Sequence, residues 1–331
     1  MNILVTGACG FIGSHLVEKL VKQNHNVRAF TFYNSRNSYG WLDNTDKRIL
    51  QDVHLILGDV RDYDLLYKQT KKIDVIFHLA ALIGIPYSYE AVKSYIDTNV
   101  IGTYNVLNAA KTNNVSKTII TSTSEVYGTA QKVPILESHK LNAQSPYAAS
   151  KIAGDQLALS FHKSYGLPIN IMRPFNTFGP RQSARAIIPT IITQLLQKKG
   201  IIKLGNLTPT RDFTYVEDTV DAFLSAMKAK KISGEVINIG NKFEISIRDI
   251  LKIIKKDFGY KFDVKIDKKR IRAKNSEVYR LLASNAKAKK VLKWSPKYGG
   301  QKGFKKGLER TIKWFRDPKN LKYYKPDIYN I

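Results

Sequence analysis

Two constellations in this chain have residue types and spacing suited to chemistry. The first is Gly7-Ala8-Cys9-Gly10-Phe11-Ile12-Gly13-Ser14, lying between the apolar run Ile3-Leu4-Val5 and an amphipathic stretch. Glycines allow a tight turn and close backbone approach to a pyrophosphate, and the next helix offers free N–H groups and a positive dipole end. A glycine-rich turn with no ligand is the plain alternative, but its position directly after the first strand speaks against it. Cys9 reads as a small filler of that turn. The second constellation is Thr121-Ser122-Thr123-Ser124-Glu125-Val126-Tyr127-Gly128, with Tyr147-Ala148-Ala149-Ser150-Lys151 further along the chain. Tyr147 and Lys151 stand at i and i+4 and share one helix face. An ammonium beside a phenol favours phenolate, and a nicotinamide cation would add to that effect, so Tyr147 can serve as a base near neutral pH. A surface helix with an ordinary Tyr and Lys is the competing reading of the pair alone.

Periodicity predicts the elements that must position these groups. Apolar runs at Ile3–Val5, Val27–Phe32, Val53–Leu57, Val75–Leu79 and Thr118–Thr121 alternate with helical stretches such as Ser14–Gln23 and Thr98–Thr112. That βαβ rhythm predicts a parallel sheet covered on both faces, a Rossmann-type doubly wound α/β fold. After Arg173 the rhythm changes to longer helices, Ile187–Lys198 and Val220–Lys228, around short strands such as Val236–Ile239, and a smaller C-terminal region begins. Gly303–Arg316 reads as one amphipathic helix, and the aromatic, polar tail Asn320–Ile331 as unstructured. Packing is the first expectation for Tyr323-Tyr324.

On this frame further cofactor contacts can be placed. A dinucleotide site of the NAD type usually supplies a carboxylate to the adenosine ribose at the end of the second strand, yet Val27 to Asn34 contains no acid. Thr31 stands where that acid is expected. Thr31 and Asn34 can bond NAD neutrally, or Arg36 can accommodate the 2′-phosphate of NADP, and both remain open. Asp59-Val60 comes after the third strand, with Asp59 either near the adenine amino group or capping a helix. Leu79-Ala80-Ala81 ends the fourth at the sheet's carboxyl edge, where small residues let a cofactor lie close.

Composition bounds the rest. The 331 residues are 43% apolar, enough for a sizeable core, and no window approaches the roughly 18 continuous apolar residues of a membrane span. The chain opens on Met1-Asn2-Ile3-Leu4-Val5-Thr6-Gly7 without the pattern of a secretory signal, so a cytoplasmic protein is expected. One cysteine permits no internal disulfide, and no metal-ligand spacing occurs. The formal charge of +27 rests on 54 Lys and Arg against 27 Asp and Glu, with 40 of the 54 being Lys dispersed in ones and twos. A nucleic-acid site would concentrate Arg and aromatics in one stripe, so a solvated surface that attracts a small anion is expected, with no nucleic-acid or membrane partner.

These residues together resemble the extended short-chain dehydrogenase/reductases that act on nucleotide sugars. The resemblance spans essentially the whole chain: Thr6-Gly7-Ala8-Cys9-Gly10-Phe11-Ile12-Gly13, His78-Leu79-Ala80-Ala81, Tyr147-x-x-x-Lys151, Arg173-Pro174-Phe175-Asn176-Thr177-Phe178-Gly179-Pro180-Arg181, Arg211-Asp212-Phe213-Thr214-Tyr215 and Leu292-x-Trp294-x-Pro296. It implies a dinucleotide-binding domain over residues 1–172 and a mainly substrate-binding domain over 173–331, with segments around 210–240 returning to the first. It also implies a tightly held, recycled NAD or NADP, a nucleoside-diphosphate sugar in the cleft, and a homodimer. Asn176 and Arg211 would contact the diphosphate, with Arg181, Arg185 and Arg280 as further candidates, because the guanidinium fork binds phosphate oxygens two at a time.

Within the family, reaction type turns on the two residues after Thr123. Simple 4-epimerases carry a small uncharged residue where this chain has Glu125, and Thr123-Ser124-Glu125 is similar to the 4,6-dehydratases of the GDP-mannose branch. Nucleotide-uronate decarboxylases share Thr-Ser-Glu but typically carry Tyr-Asp-Glu-x-Lys, which this chain lacks. The resemblance thus implies a 4,6-dehydratase with Thr123, Ser124, Glu125, Tyr147 and Lys151 as catalytic residues. Asn34 to Leu42 and Gln182 to Pro189 look like the N-acetylglucosamine nucleotide 4,6-dehydratases of nonulosonic acid synthesis. UDP or GDP as the carrier, retention or inversion at carbon 5, the decarboxylase and epimerase readings, and a non-catalytic cofactor-binding protein all remain open.

Overall fold

The computed structural model describes residues 1–197, 200–325 and 328–329. Fourteen strands occur among them. The main sheet takes β1 (Asn2–Thr6), β2 (Asn26–Phe32), β3 (Val53–Gly58), β4 (Val75–His78), β5 (Lys117–Thr121) and β6 (Ile169–Pro174), while β7 (Thr177–Phe178), β8 (Ile201–Leu204), β9 (Thr210–Asp212) and β10 (Thr214–Tyr215) lie outside it. Next comes β11 (Val236–Ile239), which returns to the main sheet, and after it β12 (Glu244–Ser246), β13 (Asp263–Ile266) and β14 (Arg280–Leu281). The main sheet has the order β11-β6-β5-β4-β1-β2-β3. Every pairing in it is parallel.

Parallel strands buried on both faces need apolar residues at successive positions. In β1, Ile3 and Val5 enter one core with the helices Phe11–Val21 and Val216–Lys228, whereas Leu4 enters the other, with the helices Gly102–Thr112 and Pro146–Tyr165. The order in which successive strands are added reverses between β1 and β4, so the crevice for a ligand opens at the carboxyl ends of those parallel strands. Both chemical constellations stand at that edge.

The C-terminal region surrounds three small sheets, β10-β7, β12-β9-β14 and β13-β8. The helix Gly300–Arg316 buries Phe304, Leu308, Ile312 and Phe315 at helical spacing, so its apolar stripe is as the sequence suggests. The start of the tail is structured where none was assigned, while Tyr324 packs as expected. Pro318–Leu321 forms a helical turn capped by the Asp317 carboxylate, and Tyr324 is buried against Phe315 with ring centroids 4.8 Å apart. Aromatic side chains that find an apolar platform override a polar local sequence. Lys198, the last residue of the expected helix from Ile187, lies outside the described residues, as do 199, 326–327 and 330–331.

Candidate active site

The glycine turn is dictated by close packing. Gly7 has φ +69°, and a Cβ there would lie 2.7 Å from the backbone nitrogen of Ala80; one at Gly13 would lie 2.2 Å from the Gly7 carbonyl oxygen. These approaches leave the backbone open where a pyrophosphate would sit. Gly10 caps the helix Phe11–Val21 without a side-chain acceptor, so the first N–H groups, including those of Phe11 and Ile12, keep their capacity for an anion. Leu79 donates its N–H to Thr6, which draws Leu79, Ala80 and Ala81 against the same turn. This cradle fits a dinucleotide.

At the ribose end, two of the expected contacts are already committed. Thr31 is wholly buried and donates its hydroxyl to the Ile56 carbonyl at 3.0 Å, so it is not the neutral ribose ligand that its position suggested. The Asn34 side chain closes its own loop, donating to the Ser38 carbonyl and accepting from the Arg36 and Ser38 N–H groups. Arg36 remains exposed beside this loop. Asp59 stands at the carboxyl end of β3, where its carboxylate accepts from the Arg61 N–H and, at 2.6 Å, from its guanidinium; the helix cap is Asp62 instead. The Arg61 bond holds the Asp59 carboxyl below its ordinary value. Val60 fills the space over Gly102.

The catalytic candidates converge. Thr123 caps a short helical turn over Ser124–Tyr127, accepting from the Glu125 N–H at 3.2 Å, and its hydroxyl acts on the Tyr147 phenol to favour the charged form. Ser145 caps the helix Pro146–Tyr165 through the Ala148 N–H, and Pro146 suits its first turn, so this helix begins where Tyr147 and Lys151 face the cleft. Ser124, Glu125, Tyr147 and Lys151 are all buried. Burial pushes the Tyr147 phenol well up, the Thr123 bond opposes this, and the Glu125 charge adds to it. Burial pushes the Lys151 amine down, while Asp155, four residues on, counters that. Asp155 is in turn held by Ser122 at 2.8 Å and by a buried ion pair with Arg173 at 2.9 Å.

Several members of the site escaped the sequence reading. Asn99 lies in a π-helical turn, Ile96–Ile101, where its side chain bonds both backbone groups of Leu82 and donates to Ser150 at 2.9 Å. It thereby staples the cleft wall to the catalytic helix, and a π-turn often marks such sites. An Asn in mid-helix, a poor helix former, was the only signal. Tyr95 sets its ring edge against Tyr147, 6.2 Å between centroids, and donates to the Gly84 carbonyl.

The arginines separate into two groups. Arg211 is buried on β9, donates to the Thr210 carbonyl, and lies 3.7 Å from Glu277, with Glu125 and Arg272 also acting on its charge. Arg272, unnoticed in the sequence, lies 4.0 Å from Glu277 and has a buried Nη1 with no hydrogen-bond partner. Asn176 likewise holds a buried, unpartnered Oδ1. Such groups call for a ligand. Exposed Arg185 packs beside Gly84 and Tyr95. Arg181, by contrast, binds Glu18 at 2.6 Å from a left-handed backbone position, and Arg280 pairs with Glu244 at the surface. Glu244 thus engages the Arg280 guanidinium that the sequence had offered to phosphate, whereas Arg181, held by Glu18 through one nitrogen, keeps a buried Nη1 without a hydrogen-bond partner. Among the described residues no group of His, Cys, Asp and Glu could hold a metal, and no helix is long and apolar enough to cross a membrane.

Comparison with known proteins agrees with this architecture. Residues 4–307 match the family described as GDP-mannose 4,6 dehydratase. A putative UDP-glucose 4-epimerase of Methanocaldococcus jannaschii is 32% identical over 95% of this chain and 98% of its own. A dTDP-glucose 4,6-dehydratase of Streptomyces antibioticus is 32% identical over 98% and 95%. The crystal structure of UDP-glucuronic acid 4-epimerase from Bacillus cereus, in complex with UDP-glucuronic acid and NAD, superposes with a TM-score of 0.84 at 32% identity, covering 96% of this chain and 99% of that one. With its cradle, its Thr-Tyr-Lys cluster and this whole-length similarity, the chain belongs to the GDP-mannose 4,6 dehydratase family of nucleotide-sugar-modifying, extended short-chain dehydrogenase/reductases.

Proposed function

We propose that the protein is a nucleotide-sugar 4,6-dehydratase acting on UDP-N-acetylglucosamine or its GDP counterpart. The observation that carries the reading is Glu125, a buried carboxylate between Tyr147 and Arg211, whose charge acts on both. A simple epimerisation at carbon 4 has no need of that second acid–base group. NAD or NADP would lie along Gly7, Gly10, Gly13 and Ala80, held further by Tyr147 and Lys151. When bound, it supplies the hydride acceptor that makes carbon 4 a ketone and returns the hydride at carbon 6. Tyr147, with Thr123 favouring its charged form and Lys151 one helical turn on, takes the carbon-4 hydroxyl proton, its phenolate favoured further by the cationic ring of the oxidised cofactor when that is bound. Glu125 takes the proton from carbon 5, acidified by the neighbouring ketone, and delivers it to the oxygen leaving carbon 6 as water; once the hydride has added at carbon 6, the resulting enolate takes a proton at carbon 5, balanced by the one that Tyr147 removed from the carbon-4 hydroxyl. Ser124 is too weak an acid for that delivery and serves to position the oxygen. Arg211, Arg272 and Asn176 receive the diphosphate.

A second reading, a uronate-handling epimerase or decarboxylase, is supported by the similarity to the UDP-glucuronic acid 4-epimerase from Bacillus cereus. We further propose a homodimer through the helices Gly102–Thr112 and Pro146–Tyr165, which expose Tyr104 and Tyr165.

Mass spectrometry and NMR of the holoprotein with UDP-N-acetylglucosamine, the GDP form and UDP-glucuronic acid, without added reductant, test the readings. Loss of one water from an N-acetylglucosamine nucleotide, abolished in Glu125→Gln while substrate still binds, is expected. Conversion of UDP-glucuronic acid alone would instead establish the second reading.

A further inference from the structure

Among its described residues, the C-terminal segment meets the rest of the molecule at Tyr323 and Tyr324 and again at Tyr329, and both places border the site. At the first, Trp41 packs edge-on against Trp314 and Tyr323, with centroids 5.4 Å apart in each case, and stacks on Tyr324. Tyr323 donates to Asn44 and Tyr324 to the Gln182 carbonyl, each at 3.0 Å. Trp41 donates its backbone N–H to Cys9 in the glycine turn, so the tail pins the loop Gly40–Asn44 over that turn. At the second place, five residues beyond Tyr324, the Tyr329 ring covers the Arg270 guanidinium at 4.7 Å. Its phenol also feels Arg272, Asp267 and Tyr89. Tyr89 comes from the helical turn Ile85–Glu90 and bonds Ser276 at 2.5 Å, which places Tyr329 where the two walls of the cleft meet.

Arg270 is fixed from below by Asp267 at 3.1 Å, so the Tyr329 ring rests on an immobile cation and not on a waving side chain. Arg272 next to it keeps a buried Nη1 that no protein group satisfies. The Tyr329 ring is thus seated on Arg270, two residues along the chain from Arg272, whose charge acts on its phenol.

We propose that the C-terminal segment is a strap that clamps the cofactor loop through Tyr323 and Tyr324 and delivers Tyr329 as a substrate-positioning residue at the nucleoside-diphosphate subsite. The inference rests on the nucleotide-sugar reading and adds to it a segment that the sequence presents as loose. Titration calorimetry of the full-length holoprotein with UDP, GDP and dTDP provides the test. Tyr329→Ala is expected to weaken the preferred nucleoside diphosphate by about three- to tenfold, the size of a lost aromatic–guanidinium platform. Tyr329→Phe, which keeps the ring on Arg270, restores most of that affinity, a rescue that mere loss of a tail contact would not produce. Tyr323→Ala with Tyr324→Ala is expected to speed loss of the dinucleotide during gel filtration. Equal affinities for wild type and Tyr329→Ala overturn the strap alone. If wild type binds none of the three nucleotides, the strap and the nucleotide-sugar reading both fall.

Discussion

Tyr147 sits in a tug between groups whose signs can be worked out. Burial raises its pKa, and negative charge on Glu125 raises it further, because a second anion nearby disfavours phenolate; the Thr123 hydrogen bond pulls the other way. The base form is therefore scarce until a cation arrives, and the positive ring of an oxidised nicotinamide is the natural candidate. Glu125→Gln removes the repelling charge and must lower the Tyr147 pKa. The pH profile for appearance of reduced nicotinamide on mixing with substrate is thus expected to shift toward lower pH in Glu125→Gln, even though water elimination stops. A profile that stays put or moves upward would show that Glu125 is not electrostatically coupled to Tyr147. At the other end of the cofactor cradle, the end of β2 offers no carboxylate, Thr31 and Asn34 are both occupied, and Arg36 is exposed on the loop that follows.

Individual elements are locked to each other by buried polar links. Arg173 on β6 binds Asp155 of the helix Pro146–Tyr165, and also donates to the Tyr127 hydroxyl at 2.9 Å, which itself donates to Asn238 on β11. Ser122, just past β5, completes the chain through Asp155. Three strands, the Thr123 turn and the catalytic helix are therefore in register only while this network is intact. Arg173→Met keeps the approximate volume but leaves Asp155 a buried, uncompensated acid. A loss of about 3–5 kcal/mol in urea unfolding is expected, as for removing one partner of a buried pair. A loss within about 0.5 kcal/mol, the range of ordinary surface substitutions, would refute the network's structural role.

At the scale of the whole molecule, the surface carries two messages. Its dispersed lysines create a positive field suited to attracting the anionic substrate that we propose, with Arg211 and Arg272 as its proposed ligands in the cleft. A helical face with exposed Ile101, Tyr104 and Tyr165 belongs to the element pair that includes the catalytic helix. Tyr104 and Tyr165 both pack edge-on to Phe161, so the patch is continuous. Sedimentation velocity of wild type is expected to give a dimer, and Ile101→Glu with Tyr104→Glu a monomer, since unpaired charges in an apolar interface oppose association. A monomeric wild type at micromolar concentration would exclude this assembly.

Local pattern alone was sufficient for the sheet, the glycine turn and the Tyr147–Lys151 face, because each rests on short-range periodicity or on backbone geometry that only certain residues permit. The run Ile3-Leu4-Val5 announces a strand buried on both sides, and Gly7 announces a turn too tight for a Cβ. Tertiary structure decided everything that depends on who reaches whom across long stretches of chain. Arg181 and Arg280 are equivalent to Arg211 as letters, yet Glu18 and Glu244 capture the first two, and Arg272 emerges beside Glu277 instead. Thr31 is lost to the Ile56 carbonyl in the same way. The aromatic tail reads as loose because its partners, Trp41, Asn44 and Arg270, are distant in sequence and adjacent only in space. Side-chain pairing over such distances has no period, so no window of sequence can display it.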